Sequence, residues 1–173
     1  ISPMPIDTRK APRRTLSFAS IPHVLADLDA IERAHHADTL HTSGNWTPAQ
    51  IFNHLTAWID FAYEGFPPEL RVPWILRALV SLFKRRALAS PFPLGMQVPG
   101  ATDGTFGHID SDFHLALVNL RLALERLQLD PPTRPSPLFG HLSHPEWIAL
   151  HLRHAELHLG FLHLAPSPTP PRP

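Results

Sequence analysis

SHPEWIALHLRHAELHLGFLH, residues 143–163, is the stretch whose reading decides the fold. Ser143 to Glu146 spells a capping box with Pro145 in the first turn, so a helix is predicted to start there and run to about His163. At about 100° per residue, Trp147, Leu150, His151, His154, His158 and Phe161 share one face. His163 falls on the opposite, polar side with Glu156, where solvent is expected. A helix with this pattern needs a partner for its apolar face.

The rest of the chain supplies partners of the same kind. Thr47-Pro48-Ala49-Gln50 is a second capping box, followed by Ile51, His54, Leu55, Trp58 and Ala62 on one stripe, with Gly65 and Pro67-Pro68 as the stop. Ser20 and Pro22 open a helix of about 16 residues carrying Val24, Leu28, Ile31 and His35. Residues 109–128 place Phe113, Leu117, Leu120, Leu124 and Leu127 on one face. Residues 72–88 form a further helix, apolar along Trp74, Ile75, Leu79, Leu82 and Phe83 and basic at Arg77, Lys84, Arg85 and Arg86. No stretch shows strand-like alternation.

The expectation is an all-α fold, a four-helix bundle with an additional inserted helix and a long Pro/Gly-rich loop over 91–107. Residues 1–19 are expected to be irregular, 20–164 to form the helical domain, and 165–173 to be a disordered Pro-rich tail.

Composition narrows the function classes. Fifteen basic and fifteen acidic residues balance to zero net charge, and no basic stripe or zinc-finger spacing points to nucleic acid. The chain has no cysteine, which removes disulfides, thiolate ligands and a cysteine nucleophile, and suits a cytoplasmic protein. No run reaches the roughly 18 apolar residues of a membrane span. Arg13 and Arg14 precede too short an apolar stretch for a twin-arginine signal. The sequence begins at Ile1, and whether a leader preceded it cannot be judged from here.

Thirteen histidines are then the chemical resource. His154 and His158, four apart, project from adjacent turns, and a metal can bridge two imidazoles at that spacing. His54 is the natural third ligand, mid-stripe where an aliphatic residue would serve packing better. One core histidine satisfied by a carbonyl is common; two with a third available leave donors and acceptors that a shared cation would satisfy. His151 is open between fourth ligand, hydrogen-bond donor to a ligand, substrate contact and plain core-edge residue. Gln50, one turn before His54, is a candidate partner for the metal-binding ring. His35, His36 and His41 read as surface residues.

The stretches NWTPAQIFNHLTAWID (45–60) and SPLFGHLSHPEWIALHLRHAELHLGFL (136–162) resemble the two signature regions of the DinB-like superfamily of metalloproteins, within a subfamily carried as a domain of unknown function. The resemblance spans about Arg14 to His163. It implies a metal-binding histidine on the second bundle helix and an H-x-x-x-H pair on the last, which match His54, His154 and His158. Leu157 stands where the family often has a further histidine.

That resemblance implies hydrolysis, or transfer of a low-molecular-weight thiol onto an electrophile, with the thiol arriving as cosubstrate. Zinc, nickel, iron and copper all suit imidazole, with zinc or nickel favoured. No Asp or Glu beside the histidines offers a general base. The alternative is a non-enzymatic metal- or small-ligand-binding module. A weaker third reading gives residues 72–88 to an anionic membrane surface or to another protomer, which would make a homodimer; a helix packed on the bundle accounts for them more simply.

Overall fold

The computed structural model describes residues 6–70, 72–95 and 106–165. Within them the chain is mostly helical, with six helices and one small sheet. α1 spans Ile21–His36, β1 Leu40–Thr42, α2 Pro48–Glu64, α3 Trp74–Leu82, α4 Lys84–Ala89, α5 Phe113–Leu129, α6 His144–Leu159 and β2 Leu162–Leu164. No helix among the described residues is long and apolar enough to cross a membrane.

α2 packs on α5 and α6, and α1 packs on the same two helices. The seam between them is filled by fully buried Leu28, Ile31, Phe52, Leu117, Leu124 and Trp147. Each such side chain stabilises the fold by roughly 1.5–3 kcal/mol relative to exposure. At the start of α2, Thr47 Oγ1 accepts from Gln50 N at 3.2 Å, and Gln50 Oε1 accepts from Thr47 N at 2.9 Å.

The sequence reading needs four corrections. The last helix stops at Leu159, not His163, because its final carbonyls are taken by the N-terminal segment: Arg13 Nη2 donates to Glu156 O and Leu157 O, at 3.1 and 2.8 Å. Arg14 N donates to Gly160 O at 2.8 Å, and the Arg14 guanidinium pairs with Asp27 at 2.8 Å. Residues 162–164 then turn extended and pair antiparallel with β1, Leu40 opposite Leu164 and His41 opposite His163. So strands do exist, too short to show an alternation.

Glu156 is the second correction. It is buried, not on a solvent face; its Oε1 accepts from Phe18 N at 2.5 Å and from Arg153 at 2.8 Å. His163 is half-buried, its Nε2 at 3.0 Å from Ser43 Oγ.

Third, residues 72–88 are two helices. The chain turns at Phe83, which lets α4 bury Leu88 and bring Lys84 within 2.9 Å of Glu146 on α6. α3 buries none of its side chains: Trp74, Ile75, Leu79 and Leu82 are all exposed. Fourth, α5 starts at Phe113, with Asp112 as its cap accepting from Leu115 N at 2.9 Å. Residues 109–111 serve α2 instead: Asn53 Nδ2 donates to Ile109 O at 2.7 Å, and Thr47 Oγ1 donates to Asp110 at 2.8 Å.

The described part of the N-terminal segment, 6–19, is irregular, yet bound to the domain through Arg13, Arg14 and buried Phe18. Most of the expected 91–107 loop, residues 96–105, and the tail from 166 lie outside the described residues.

Candidate metal centre

His54 from the middle of α2 meets His154 and His158 from consecutive turns of α6. One ring nitrogen from each of the three lies within 4.8 Å of the other two. His54 Nε2 and His154 Nε2 are 3.1 Å apart. Two nitrogens held about 2.0–2.1 Å from one tetrahedral ion stand roughly 3.3 Å apart, so this pair is already near that spacing.

The protonation state of His54 follows from its other nitrogen. Nδ1 lies 2.7 Å from the carbonyl oxygen of Phe106, and a carbonyl can only accept. Nδ1 therefore carries the proton, and the lone pair of Nε2 faces His154. Gly107 makes this bond geometrically available. It has φ +84°, and a Cβ there would stand 2.4 Å from Ala57 Cβ and 3.3 Å from Asn53 O. Only glycine lets the 106–107 backbone press so closely onto α2.

All three rings are held neutral. Burial pushes His54 down to about 4, the Phe106 hydrogen bond opposing and His108 adding to the fall. Burial also drives His154 well below its usual value, helped by His158, His54 and His151. His158 is lowered by burial, then by His54 and Arg13. Neutral imidazole is the form that ligates a metal. A donor set of three neutral, convergent nitrogens, one fixed by a carbonyl behind it, fits a divalent ion.

Tryptophans enclose the group. Trp46 stacks on His158 with ring centroids 5.4 Å apart, and Trp58 meets His154 edge-on at 5.7 Å. On the remaining side the histidines open onto a cavity of about 370 Å³.

His151 lines that cavity, outside the three-nitrogen group. It is buried and stacked on Trp147 at 5.8 Å, its Nε2 bonds to no protein atom, and burial pushes it down to about 3. Gln50 uses its side-chain oxygen in the α2 cap, and the atom behind His54 is Phe106 O. His36 and His41 are exposed, whereas His35 is half-buried and stacked on Phe113 at 3.7 Å. Glu32, His36 and His114 form a second cluster at the surface, where Arg121 holds Glu32 at 2.8 Å.

Sequence reasoning missed Trp46 and the Phe106 carbonyl. Trp46 had a signal, since a large apolar residue just before a helix cap commonly packs back on the first turns. A backbone carbonyl from a loop leaves none.

A family model described as "Protein of unknown function (DUF1569)" matches residues 10–165, which take in all six helices and the three histidines. The chain belongs to this DUF1569 family. No curated protein and no solved structure matches it.

Proposed function

We propose that this DUF1569 protein is a metal-dependent enzyme of DinB-like type, in which His54, His154 and His158 hold one divalent ion, zinc or nickel before iron. The observation that carries the reading is the convergence of three neutral imidazoles on one point beside a cavity, with the His54 tautomer set by Phe106. The packing of α1, α2, α5 and α6 on one another supports a four-helix bundle beneath it.

When bound, the ion keeps its full charge on three neutral ligands and supplies Lewis acidity toward water or a small thiol, which suits a hydrolase or a thiol S-transferase. The protein's own part is positional. Phe106 O orients His54, and Trp46 and Trp58 wall off two sides of the group from water. The cavity leaves room for a second reactant.

A second reading, a non-enzymatic ligand- or metal-binding module, draws on one observation: no Asp or Glu is among the described residues lining the cavity, so no carboxylate base stands among them. Elemental analysis of untagged protein, purified without imidazole or chelator, tests the metal. About one equivalent in wild type, lost in His54→Ala and in a His154→Ala/His158→Ala double variant, is expected. Absence of metal even after reconstitution with zinc or nickel sinks the enzyme reading. Metal-dependent turnover of a thiol with an electrophile, or of an ester, then separates enzyme from module.

A further inference from the structure

The cavity next to the histidines is unusual in what it lacks. Its described lining contains no Lys, Arg, Asp or Glu. The walls are instead aromatic and aliphatic, chiefly Trp58, Phe66, Phe139, Trp147, Leu150 and Phe161. A charged group placed there would lose its water and meet no opposite charge among the described lining residues, which costs far more than apolar contact returns. An apolar, ring-shaped group gains on both counts, by leaving water and by stacking on ring faces.

Two polar atoms on this wall also stand unused. His151 Nε2 and Trp58 Nε1 are buried with no hydrogen-bond partner in the protein. Buried donors and acceptors are nearly always paired, so an occupant that brings one hydrogen-bonding group to this wall makes bonds the protein leaves unmade. At about 370 Å³ the space suits a small molecule of two or three rings, not a peptide segment or a nucleic acid.

We propose that the cavity binds an uncharged, flat, mostly apolar small molecule bearing a single hydroxyl- or carbonyl-type group, with His151 and Trp58 as its polar contacts. Taking that molecule for the substrate or electrophile rests on the enzymatic reading above; binding itself does not. Any charge the reacting molecule carries belongs at its end nearest the three histidines. A multiply charged thiol is thereby excluded from this wall and confined to the role of cosubstrate.

The test compares 2-naphthol with naphthalene-2-sulfonate, the same ring system without and with a fixed charge. Both are titrated by calorimetry into the full chain after EDTA treatment, so that no metal attracts the anion. We expect saturable one-site binding of 2-naphthol and at least tenfold weaker binding of the sulfonate. His151→Phe should weaken 2-naphthol several-fold with the sulfonate unchanged. Leu150→Lys, which sets a cation on the wall, should reverse the preference; Leu157→Lys serves if the first variant loses its helicity. Equal or tighter binding of the sulfonate by wild type, or no binding of either probe by well-folded protein, overturns the proposal. Binding of 2-naphthol by a protein that takes up no metal leaves this inference standing and removes only the enzymatic reading.

Discussion

His54 Nδ1 donates to the Phe106 carbonyl oxygen at 2.7 Å, while its Nε2 faces His154 Nε2 at 3.1 Å. One hydrogen bond from a loop thus decides which nitrogen of an α2 residue is offered to α6. The loop can reach that position only through Gly107.

Gly107→Ala is therefore expected to damage the site without touching a ligand. Its Cβ would meet Ala57 Cβ at 2.4 Å, and the residue would be held at φ +84°. The loop must move off α2 and take the Phe106 carbonyl with it. The cost to stability is about 1–3 kcal/mol for the backbone conformation, and loss of a ligand's orienting partner lowers metal affinity about 10–100-fold. Zinc titration beside a thermal melt measures both. Unchanged zinc affinity would show that His54 needs no carbonyl behind it.

Glu156→Ala tests how the N-terminal segment is fastened. The carboxylate accepts from Phe18 N and pairs with Arg153 at 2.8 Å, all in a buried place. Removing it leaves the Phe18 amide unpaired and the Arg153 guanidinium without its counter-charge, held only by the Phe18 carbonyl at 2.6 Å, at a cost of about 3–5 kcal/mol in a urea unfolding curve. A loss below about 1 kcal/mol would mean that water reaches Arg153 readily.

How much of this was legible beforehand differs by kind of signal. The α2 and α6 starts were readable because a capping box is local, with donor and acceptor three residues apart. The histidine stripe was readable because helical spacing alone puts His154 and His158 on one face. The end of α6 was not, since it depends on Arg13 and Arg14, more than 140 positions away, taking its last carbonyls. For the same reason Glu156 looked solvent-facing: nothing within its own helix announces Phe18. Residues 72–88 read as one helix, because their apolar spacing continues through Phe83, where the chain turns to bury Leu88.

α3 should prove dispensable to stability. Trp74 is 70% exposed and Leu82 76%, while Leu88 on α4 is 5% exposed. Trp74→Ser and Leu82→Ser are expected to change unfolding free energy by less than about 0.5 kcal/mol. Leu88→Ala, by contrast, should cost about 2–5 kcal/mol. A large loss from the two α3 variants at micromolar protein, relieved on dilution, would reveal a second copy covering that face.

The pH dependence of the metal-free protein should follow the buried histidines, and its sign can be worked out. Burial holds His54 down to about 4 and His151 to about 3, while both would titrate near the ordinary 6.5 in the unfolded chain. Between those values the unfolded state binds more protons, so stability rises with pH through this window, is fully present above about 6.5, and is lost as pH falls toward the folded values. For His54 alone the span is on the order of 3 kcal/mol. The paired carboxylates Glu32 and Glu146 are lowered from 4.5, by Arg121 and by the Ser143 backbone respectively, so their share is lost only at lower pH. The interval from pH 5 to 6.5 therefore belongs chiefly to the histidines. Urea midpoints of EDTA-treated protein at pH 5 and pH 7 give the measurement, with a clearly lower midpoint at pH 5 expected and a smaller difference in His151→Phe. A flat profile across that interval would mean the imidazoles are hydrated in the metal-free protein, and the enclosure by Trp46 and Trp58 would lose its significance.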